Sequence, residues 1–368
     1  MEDKIRVLYD YQAFHMQRFG GISRYFYELA CNMRRVDAAI DIRFSMNQYI
    51  RGTQLVRYTP VPKRAFKIME GVFRKINRSH SLHAIRRGDF DVFHPTYYHP
   101  YFLEGLGGKP FVLTIHDMTH ERFPQYFAPN DPTPHYKRLL AARAARIIAI
   151  SECTKRDVME LLHVPEERID VIYHGLNAQP LSSEKPLGVP SQYVLYVGER
   201  RGYKNFGVVA EAFARLAGSN PELHLVLTGR PLSAEERELF IQKGIAGRVT
   251  VMSDVSDRRL ASLYRNARLF VYPSLYEGFG VPILEAFAQR CPVVLSQASC
   301  FEEVAADAAV YFDPESADEL EQVFSRLLSD SSLCRLLAAR GAERLKGFTW
   351  EKTARETEQT YMKVLADL

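Results

Sequence analysis

The sequence lacks the patterns that mark several large classes of protein. No apolar run approaches the roughly 20 residues of a membrane-spanning helix. The five cysteines are scattered and contain no CxxC pair, which argues for a reducing cytoplasm and against a disulfide framework or a zinc site. We therefore expect no metal and no cofactor. Neither GxGxxG nor GxSxG occurs, which disfavours a dinucleotide oxidoreductase and a serine hydrolase. The opening MEDKIRVLYDYQ is acidic and becomes strand-like, so it does not resemble a secretory signal.

The length and charge indicate two domains of different character. A chain of 368 residues exceeds the size at which one core usually stops growing, roughly 250–300 residues. Residues 1–178 contain 26 Lys and Arg against 19 Asp and Glu, whereas residues 179–368 contain 22 against 25. The basic first half favours an anionic surface or substrate, and solvated charge without a partner is the alternative. We predict no nucleic-acid partner.

Short β-branched runs alternate with helical patterns in both halves, which is typical of parallel α/β sheets. In the first half the predicted strands are 4–9, 40–44, 92–94, 111–115, 147–150 and 171–173, and the predicted helices are 22–33, 134–145 and 152–162. A proline-rich linker is predicted over 177–190. In the second half the predicted strands are 193–197, 223–228, 249–252, 269–272, 293–296 and 310–312, and the predicted helices are 206–217, 234–242, 257–266, 282–288, 317–346 and 350–365.

The segment 63–87 is basic and has apolar residues at helical spacing. Phe66, Met69, Val72 or Phe73, and Ile76 recur every three to four positions, with Lys and Arg between them. Such a helix can lie on an anionic membrane surface. The alternative is a surface helix packed on its own domain.

The stretch YPSLYEGFGVPILEAFA (272–288) predicts a loop that leads into a helix. Gly278 and Gly280 leave the backbone open to a ligand, and Pro282 suits the first turn of a helix. Free N–H groups and the helix dipole make that N-terminus a site for an anion. Two carboxylates, Glu277 and Glu285, are then available for hydroxyl groups. The stretch therefore predicts a site for a phosphate-bearing ligand.

Other candidate groups follow predicted strands. Arg200 and Lys204 come after strand 193–197, where cations could bind a diphosphate, although a solvated basic loop is the alternative. Gly20-Gly21 occupies a phosphate-loop position or a plain turn. His116 ends strand 111–115, where a lone histidine is often structural. Ligands of open α/β sheets bind beyond the carboxyl ends of the strands, so we expect these groups near one cleft.

These residues resemble the Glu-x7-Glu motif and its surroundings in retaining glycosyltransferases of family 4, which adopt the GT-B fold. FGGISRYFYELA is similar to the family's Gly-Gly loop and first helix, and YVGERRGYKNF to its donor-phosphate loop. HPTYY, TIHDMTHERFPQYF, SDVSDRRLASLYRNA and FTWEKTARETEQTYMKVL also fit, and the mannosyltransferase-like bacterial members are the most similar. The resemblance covers nearly the whole chain.

The resemblance implies an α/β architecture of two Rossmann-like, doubly wound domains that face a cleft. Residues 1–178 would form the acceptor-side domain and 179–349 the donor domain. The last helix, 350–368, would cross back to the first domain.

The resemblance also implies roles for the candidate residues. Glu277 would bind hydroxyls of the transferred sugar and Glu285 the ribose of the nucleotide. His116 would hydrogen-bond the donor sugar near the reacting carbon. The remaining groups would meet the sugar or the diphosphate: Arg200 and Lys204 through charge, and Gly20, Gly21, Gly278, Phe279, Gly280 and Val281 through the backbone.

The sequence thus predicts a cytoplasmic, metal-independent, retaining glycosyltransferase, with possible peripheral contact to an anionic membrane through 63–87. Its donor would be GDP-mannose and its acceptor a lipid-linked glycan or polysaccharide, as in assembly of lipopolysaccharide O-antigen or exopolysaccharide. A UDP- or ADP-sugar donor is an alternative. A sugar-nucleotide epimerase of the same fold, or an inactive nucleotide-sugar-binding protein, are alternatives of another class. Glu277 as a covalent nucleophile is disfavoured, because hydroxyl binding is its expected role.

Overall fold

The computed structural model describes residues 4–53 and 55–367. The chain divides into two compact units. The first contains residues 1–175 together with the C-terminal segment 350–368, and the second contains Leu176–Thr349. The helices described include none with both the length and the apolar character needed to cross a bilayer.

The first unit alternates strands and helices. Its strands are Ile5–Tyr9 (β1), Val36–Ile40 (β2), Phe44–Ser45 (β3), Thr59–Pro60 (β4), Val92–His94 (β5), Val112–Ile115 (β6), Arg146–Ala149 (β7) and Ile169–Val171 (β8). Its helices before the second unit begins are Gln12–Met16 (α1), Gly21–Asn32 (α2), Lys63–Arg87 (α3), Thr119–Arg122 (α4), Thr133–Arg143 (α5) and Glu152–Leu162 (α6).

All strand pairs of the first unit are parallel. The order is β2-β1-β5 in one sheet and β6-β7-β8 in another, and a parallel bridge from Phe93 to Phe111 connects β5 to the residue before β6. Strands β3 and β4 form a separate parallel pair. The strand order reverses between β1 and β5, so the loops after these two strands are neighbours. Asp10 and Thr96 occupy these loops, and the Thr96 hydroxyl donates to Asp10 Oδ1 at 2.6 Å.

The second unit is a six-stranded parallel sheet with helices between its strands. The strands are Tyr193–Val197 (β9), His224–Thr228 (β10), Val249–Met252 (β11), Leu269–Tyr272 (β12), Val293–Ser296 (β13) and Ala309–Phe312 (β14), in the order β11-β10-β9-β12-β13-β14. The helices are Phe206–Ala217 (α7), Ala234–Gln242 (α8), Asp257–Asn266 (α9), Val281–Ala288 (α10), Phe301–Ala305 (α11), Ala317–Ser329 (α12) and Ser331–Leu345 (α13). The four inner strands are largely apolar and buried because both faces of the sheet are covered.

The last helix, Trp350–Ala366 (α14), belongs to the first unit. Its Tyr361 hydroxyl lies 3.0 Å from the Tyr9 hydroxyl and 2.7 Å from His94 Nδ1, all of them buried. Glu358 accepts from the backbone N–H groups of Arg34 and Arg35 at 2.5 and 2.7 Å. The C-terminal helix therefore completes the core of the first unit, as the resemblance implied.

Several predicted bounds differ from the structure by one or more residues, and three elements illustrate the reasons. The strand predicted over 40–44 is Val36–Ile40, because Val36 pairs in register with Ile5 and only its two ends are buried. The strand predicted over 171–173 is Ile169–Val171. The helix predicted over 317–346 is divided at Asp330, whose Oδ1 accepts from the N–H groups of Ser332 and Leu333 and so begins a new helix.

Helix α3 has the predicted bounds but divides its apolar residues between two faces. Its backbone departs from helical geometry at Met69. Phe66 and Phe73 are buried against their own unit, whereas other apolar residues are exposed to solvent: Ile68 (76%), Met69 (43%), Val72 (49%) and Ile76 (40%). The predicted single stripe, which joined Met69 and Ile76 to Phe66, is therefore wrong.

The predicted linker over 177–190 has no helix or strand in the structure. It is nevertheless held to the second unit by Gln289, whose side chain is buried. Gln289 Nε2 donates to the carbonyl of Gln179 at 3.0 Å, and its Oε1 accepts from the Ser182 N–H at 2.9 Å. The segment therefore belongs structurally to the second unit.

Candidate functional site

The candidate site of the second unit lies where its strand order reverses. Strands β9 and β12 are neighbours. The next strand on the other side of β9 is β10, and the next on the other side of β12 is β13. The loops that follow them, residues 198–205 and 273–280, therefore leave the same edge of the sheet side by side. In open α/β sheets this is the position at which ligands bind.

The turn before α10 has a backbone that only glycine adopts readily. Gly280 has φ 98° and ψ 51°, in the left-handed region. A Cβ there would lie 2.9 Å from Ile283 Cδ1. The helix begins at Val281, and no side chain caps its N-terminus. Its first N–H groups have no partner within the helix, so this end of α10 can accept an anion.

Glu277 and Lys204 form an ion pair between the two loops. Lys204 Nζ lies 2.6 Å from Glu277 Oε1, and the two side chains are only 18% and 14% exposed. Burial, as the main cause, and the negative charge of Glu277, as the second, raise the pKa of Tyr272 far above its usual value, so the phenol is neutral. The structure thus brings together two residues that the sequence placed 73 positions apart.

Ser299 fixes the backbone of Glu277. Its Oγ accepts from the Glu277 N–H at 3.1 Å and donates to the Glu277 carbonyl at 2.5 Å. The neighbouring Cys300 thiol donates to the carbonyl of Phe279 at 3.0 Å. Ser299 has a positive φ of 54°, which is uncommon outside glycine. The loop after β13 therefore sets the position of the glycine-rich turn.

Glu285 lies on α10, one turn inside the helix. The Tyr264 hydroxyl donates to its Oε2 at 3.2 Å. Burial, as the main cause, and the charge of Glu285, as the second, raise the pKa of Tyr264, so its hydroxyl stays protonated and remains a donor. Glu285 is half-buried, and Tyr264 orients one of its carboxylate oxygens.

Arg200 is engaged differently from Lys204. Its side chain is fully buried, with Nε 3.0 Å from Glu236 Oε1 and one terminal nitrogen donating to the Arg230 carbonyl at 2.6 Å. The other terminal nitrogen, Nη1, has no hydrogen-bond partner within the described residues. Glu236 also accepts from the N–H of Ser233 and so caps α8. Arg200 thus ties the loop after β9 to α8, and only its Nη1 is left for a ligand. Its predicted role toward a diphosphate stays a prediction.

His116 is a candidate of the first unit. It follows β6 and packs edge-on against Tyr25 at 5.2 Å between ring centroids. Burial lowers the pKa of His116 to about 4, so the imidazole is neutral at pH 7. Its Nε2 is buried and has no hydrogen-bond partner among residues 4–53 and 55–367. His116 therefore has an unused neutral nitrogen in the first unit.

Gly20 and Gly21 precede and begin α2. Gly20 has extended backbone, and a Cβ on it would collide with the side chain of Gln17. Gln17 in turn accepts from the Ser23 N–H at 3.0 Å. A Cβ on Gly21 would meet open space, so its backbone is accessible. The Gln17 side chain therefore covers part of the N-terminus of this twelve-residue helix, at Ser23.

The sequence reasoning did not identify Ser299, Tyr264 or Glu236. Only Glu236 had a local signal, because Ser233-x-x-Glu236 is a capping box. The other two act across distances of more than 20 residues in sequence. Within the described part of the chain, no three His, Cys, Asp or Glu side chains are grouped so that they could hold a metal ion.

Two parallel α/β units, the second with a reversal of strand order and a glycine-rich turn before a helix, are the architecture of GT-B glycosyltransferases. Two family models match the chain. "Glycosyltransferase Family 4" matches residues 19–179 and "Glycosyl transferases group 1" matches residues 180–344. The chain belongs to glycosyltransferase family 4 and is a glycosyltransferase.

Individual relatives agree with this family. The chain is 29% identical to the O-antigen chain mannosyltransferase B of Escherichia coli over 78% of both chains. It is 29% identical to the MMP alpha-(1->4)-mannosyltransferase of Mycolicibacterium hassiacum over 77% of this chain and 73% of that protein. The crystal structure of Alr3699/HepE from Anabaena, in complex with UDP and glucose, superposes with a TM-score of 0.74 at 17% identity over the full length of both chains. The predicted fold and family are therefore confirmed.

Proposed function

We propose that the protein transfers mannose from GDP-mannose, with retention of anomeric configuration, to a lipid-linked glycan or polysaccharide. The observation that carries the proposal is the Lys204–Glu277 pair beside the uncovered N-terminus of α10. A cation and a helix N-terminus suit a diphosphate, and a carboxylate suits sugar hydroxyls.

The donor groups divide into two sets. Lys204, the N-terminus of α10 and the free Nη1 of Arg200 would bind the diphosphate. Glu285, oriented by Tyr264, would accept from the ribose hydroxyls. Glu277 would accept from hydroxyls of the sugar, and the backbone of 278–281 would approach the sugar and the diphosphate.

The chemistry requires charge stabilisation more than a protein nucleophile. The diphosphate gains negative charge as the glycosidic bond breaks, and fixed donors aimed at such charge contribute about 3–4 kcal/mol each. The acceptor hydroxyl attacks the anomeric carbon from the face that the diphosphate leaves, and a phosphate oxygen takes its proton. Glu277 is held by Lys204 and Ser299 and does not serve as the nucleophile. Neutral His116 would hydrogen-bond the sugar through Nε2.

The choice of mannose and of GDP rests on the relatives. Several proteins to which the chain is similar are named mannosyltransferases, and two of them act on O-antigen chains by name. Assembly of a surface polysaccharide is the corresponding process for this chain.

A panel of nucleotide sugars tests the donor. We expect GDP-mannose at a hundred times its Kd to stabilise the protein by about 2.7 kcal/mol, which raises the Tm by about 5 °C. Glu285→Ala should abolish the shift, and Glu222→Ala on the exposed surface should keep it. Stabilisation by UDP sugars alone would contradict the assignment of GDP.

Product analysis tests the reaction itself. NMR of the product should show the same anomeric configuration as the donor. Inversion would exclude the retaining mechanism. Release of an isomerised nucleotide sugar without an acceptor would identify an epimerase, and binding without turnover would identify an inactive binding protein.

We also propose that α3 contacts an anionic membrane peripherally. Ile68, Met69 and Val72 are exposed along one side of the helix, and the neighbouring exposed cations are Arg64, Lys67, Arg74 and Lys75. Apolar side chains can enter the headgroup region while lysine and arginine meet its negative charge.

Vesicle sedimentation tests this contact. The chain should sediment with vesicles containing phosphatidylglycerol and not with neutral phosphatidylcholine. The double variant Ile68→Ser/Val72→Ser should lose most of the binding. Leu187→Ser/Leu336→Ser removes two exposed apolar residues elsewhere and is the matched control. Equal binding to both vesicles, or an equal loss in both variants, would contradict the proposal.

A further inference from the structure

A cavity of about 420 Å³ in the first unit lies at the start of α3. Three stretches of chain form it: the loop after α1, the loop after β3, and β4 with the residues that follow it. The side chains that give it its character are Arg18, Arg51, Lys63, Tyr58, Asn47 and Gln48. It belongs to the first unit, whereas Arg200, Lys204, Glu277 and Glu285 belong to the second.

The lining contains three cations and no carboxylate. Arg18, Arg51 and Lys63 form no ion pair with any acidic side chain among the residues that the structure describes. All three are exposed residues, whereas the buried cation Lys137 of the same unit is paired with Glu121. Three like charges around one cavity repel one another, and an anion bound between them removes that repulsion. The cavity therefore suits a strongly anionic group.

Arginine and phenol donors suit the oxygens of a phosphate. The planar guanidinium groups of Arg18 and Arg51 can each donate two parallel hydrogen bonds to phosphate oxygens. Arg18 is oriented by its position over the Phe19 ring, 5.2 Å from the centroid. Burial raises the pKa of Tyr58, with Arg51 opposing the shift, so its hydroxyl remains a donor beside that guanidinium.

The backbone of the cavity is fixed by buried hydrogen bonds. Ser45 Oγ donates to the Phe14 carbonyl at 2.7 Å, and Asn47 Nδ2 donates to the Gln17 carbonyl at 2.7 Å. The Gln48 N–H donates to the Arg18 carbonyl at 3.0 Å. The two loops that carry the arginines are thereby joined, so less ordering is needed when a ligand binds.

The cavity and the exposed apolar side of α3 are adjacent on one helix. Lys63 begins the helix and lines the cavity, and Ile68 follows five residues later, about 7.5 Å along the helix axis and about 140° around it at 1.5 Å per residue and 3.6 residues per turn. A lipid-linked acceptor carries a phosphate and a hydrocarbon chain in one molecule. With its phosphate in the cationic cavity, its flexible hydrocarbon chain could pass around the helix to the apolar side.

We propose that Arg18, Arg51 and Lys63 bind the phosphate or diphosphate that joins the lipid to the glycan of the acceptor. The proposal rests on the proposed function, because it assigns the acceptor of that reaction to the lipid-phosphate class. An anionic phospholipid headgroup offers the same chemistry from another source. If the ligand is the acceptor, binding of a polyprenyl phosphate should depend on Arg18 and Arg51. If it is a headgroup, binding of anionic vesicles should depend on them.

Direct binding of farnesyl phosphate tests the proposal without turnover. Titration calorimetry should show that Arg18→Gln/Arg51→Gln raises the Kd for farnesyl phosphate tenfold or more. Arg138→Gln/Arg143→Gln removes two exposed arginines of α5 and should leave that Kd unchanged. Farnesol should bind all three proteins alike. Equal Kd values for farnesyl phosphate in wild type and Arg18→Gln/Arg51→Gln would overturn the proposal.

Two further measurements distinguish an acceptor phosphate from a phospholipid headgroup and from a failure of the proposed donor reaction. Sedimentation with phosphatidylglycerol vesicles should change less than twofold in Arg18→Gln/Arg51→Gln; loss of vesicle binding with retained farnesyl phosphate binding would assign the cavity to headgroups instead. The Tm shift with nucleotide sugars should be the same in this variant as in wild type. If no nucleotide sugar shifts the wild-type Tm but farnesyl phosphate still depends on the two arginines, the proposed donor reaction fails and the phosphate site stands.

Discussion

Removing the charge of Glu277 should tighten the binding of a free nucleoside diphosphate while it impairs transfer. In the structure the Glu277 carboxylate is paired with Lys204, and Oε1 lies 2.6 Å from Nζ. A diphosphate must compete for that ammonium and also meets the negative charge of the carboxylate. Glu277→Gln keeps the size of the side chain and its hydrogen bonds to Ser299, which are made by the backbone. The variant therefore removes the negative charge that competes with the diphosphate for Lys204, and it leaves the backbone of the glycine-rich turn in place.

The size of the effect follows from the exposure of the pair. Hydrogen bonds to charged groups contribute about 1.5–3 kcal/mol net, and exposed ion pairs about 0–1 kcal/mol. With side chains 18% and 14% exposed, the pair lies between these limits, at about 1–2 kcal/mol. GDP should consequently bind about 5- to 30-fold more tightly to Glu277→Gln than to wild type. The transfer rate should fall, because the carboxylate no longer accepts from the sugar.

Isothermal titration with GDP and a steady-state transfer assay measure the two effects. Glu222→Gln, an exposed residue of the same unit without an ion pair among the described residues, is the matched control. Weaker or unchanged GDP binding in a folded Glu277→Gln protein would refute the reasoning, since Lys204 would then not be a diphosphate ligand.

Three further results are expected. Gly280→Ala should lower the free energy of unfolding in urea by about 2–5 kcal/mol, from a positive φ and a contact with Ile283; a loss under 1 kcal/mol would show that the turn rearranges. Tyr264→Phe should weaken nucleotide binding about 2- to 10-fold in the same titration, since Glu285 loses its donor, and an unchanged Kd would separate Glu285 from the ribose. Burial lowers the pKa of His116 to about 4, below its unfolded value near 6.5, so its contribution to stability is present above pH 6.5 and is lost as the pH falls toward 4. The free energy of unfolding in urea should therefore fall by about 2 kcal/mol more between pH 7 and pH 5 in wild type than in His116→Gln. An equal fall in both proteins would show that folding does not lower the pKa of His116.

The sequence predicted the architecture well because its signals were local. Strands such as Val293–Ser296 are short apolar runs between helical segments, and their bounds were predicted without error. Where the signal was not local the prediction failed. Val36–Ile40 has a buried residue only at each end, and the pairing of Val36 with Ile5 decides its position.

The candidate site shows the same limit. The glycines and glutamates of 277–285 could be identified because their spacing is short and fixed. The pairing of Arg200 with Glu236 could not, because it joins residues 36 positions apart, and nothing in YVGERRGYKNF distinguishes the buried Arg200 from the exposed Arg201. Tyr264 and Ser299 were missed for the same reason.

The return of α14 to the first unit has a consequence for biosynthesis. The first unit needs Tyr361 beside Tyr9 and His94, yet the 174 residues of the second unit, Leu176–Thr349, are translated in between. At about 5–20 residues per second the ribosome takes roughly 10–35 seconds to cover them. During that time the buried surface that α14 covers is open to solvent and to chaperones. We therefore expect a nascent chain stopped before residue 350 to contain a folded second unit and an incomplete first one, so that the part made first is the part finished last.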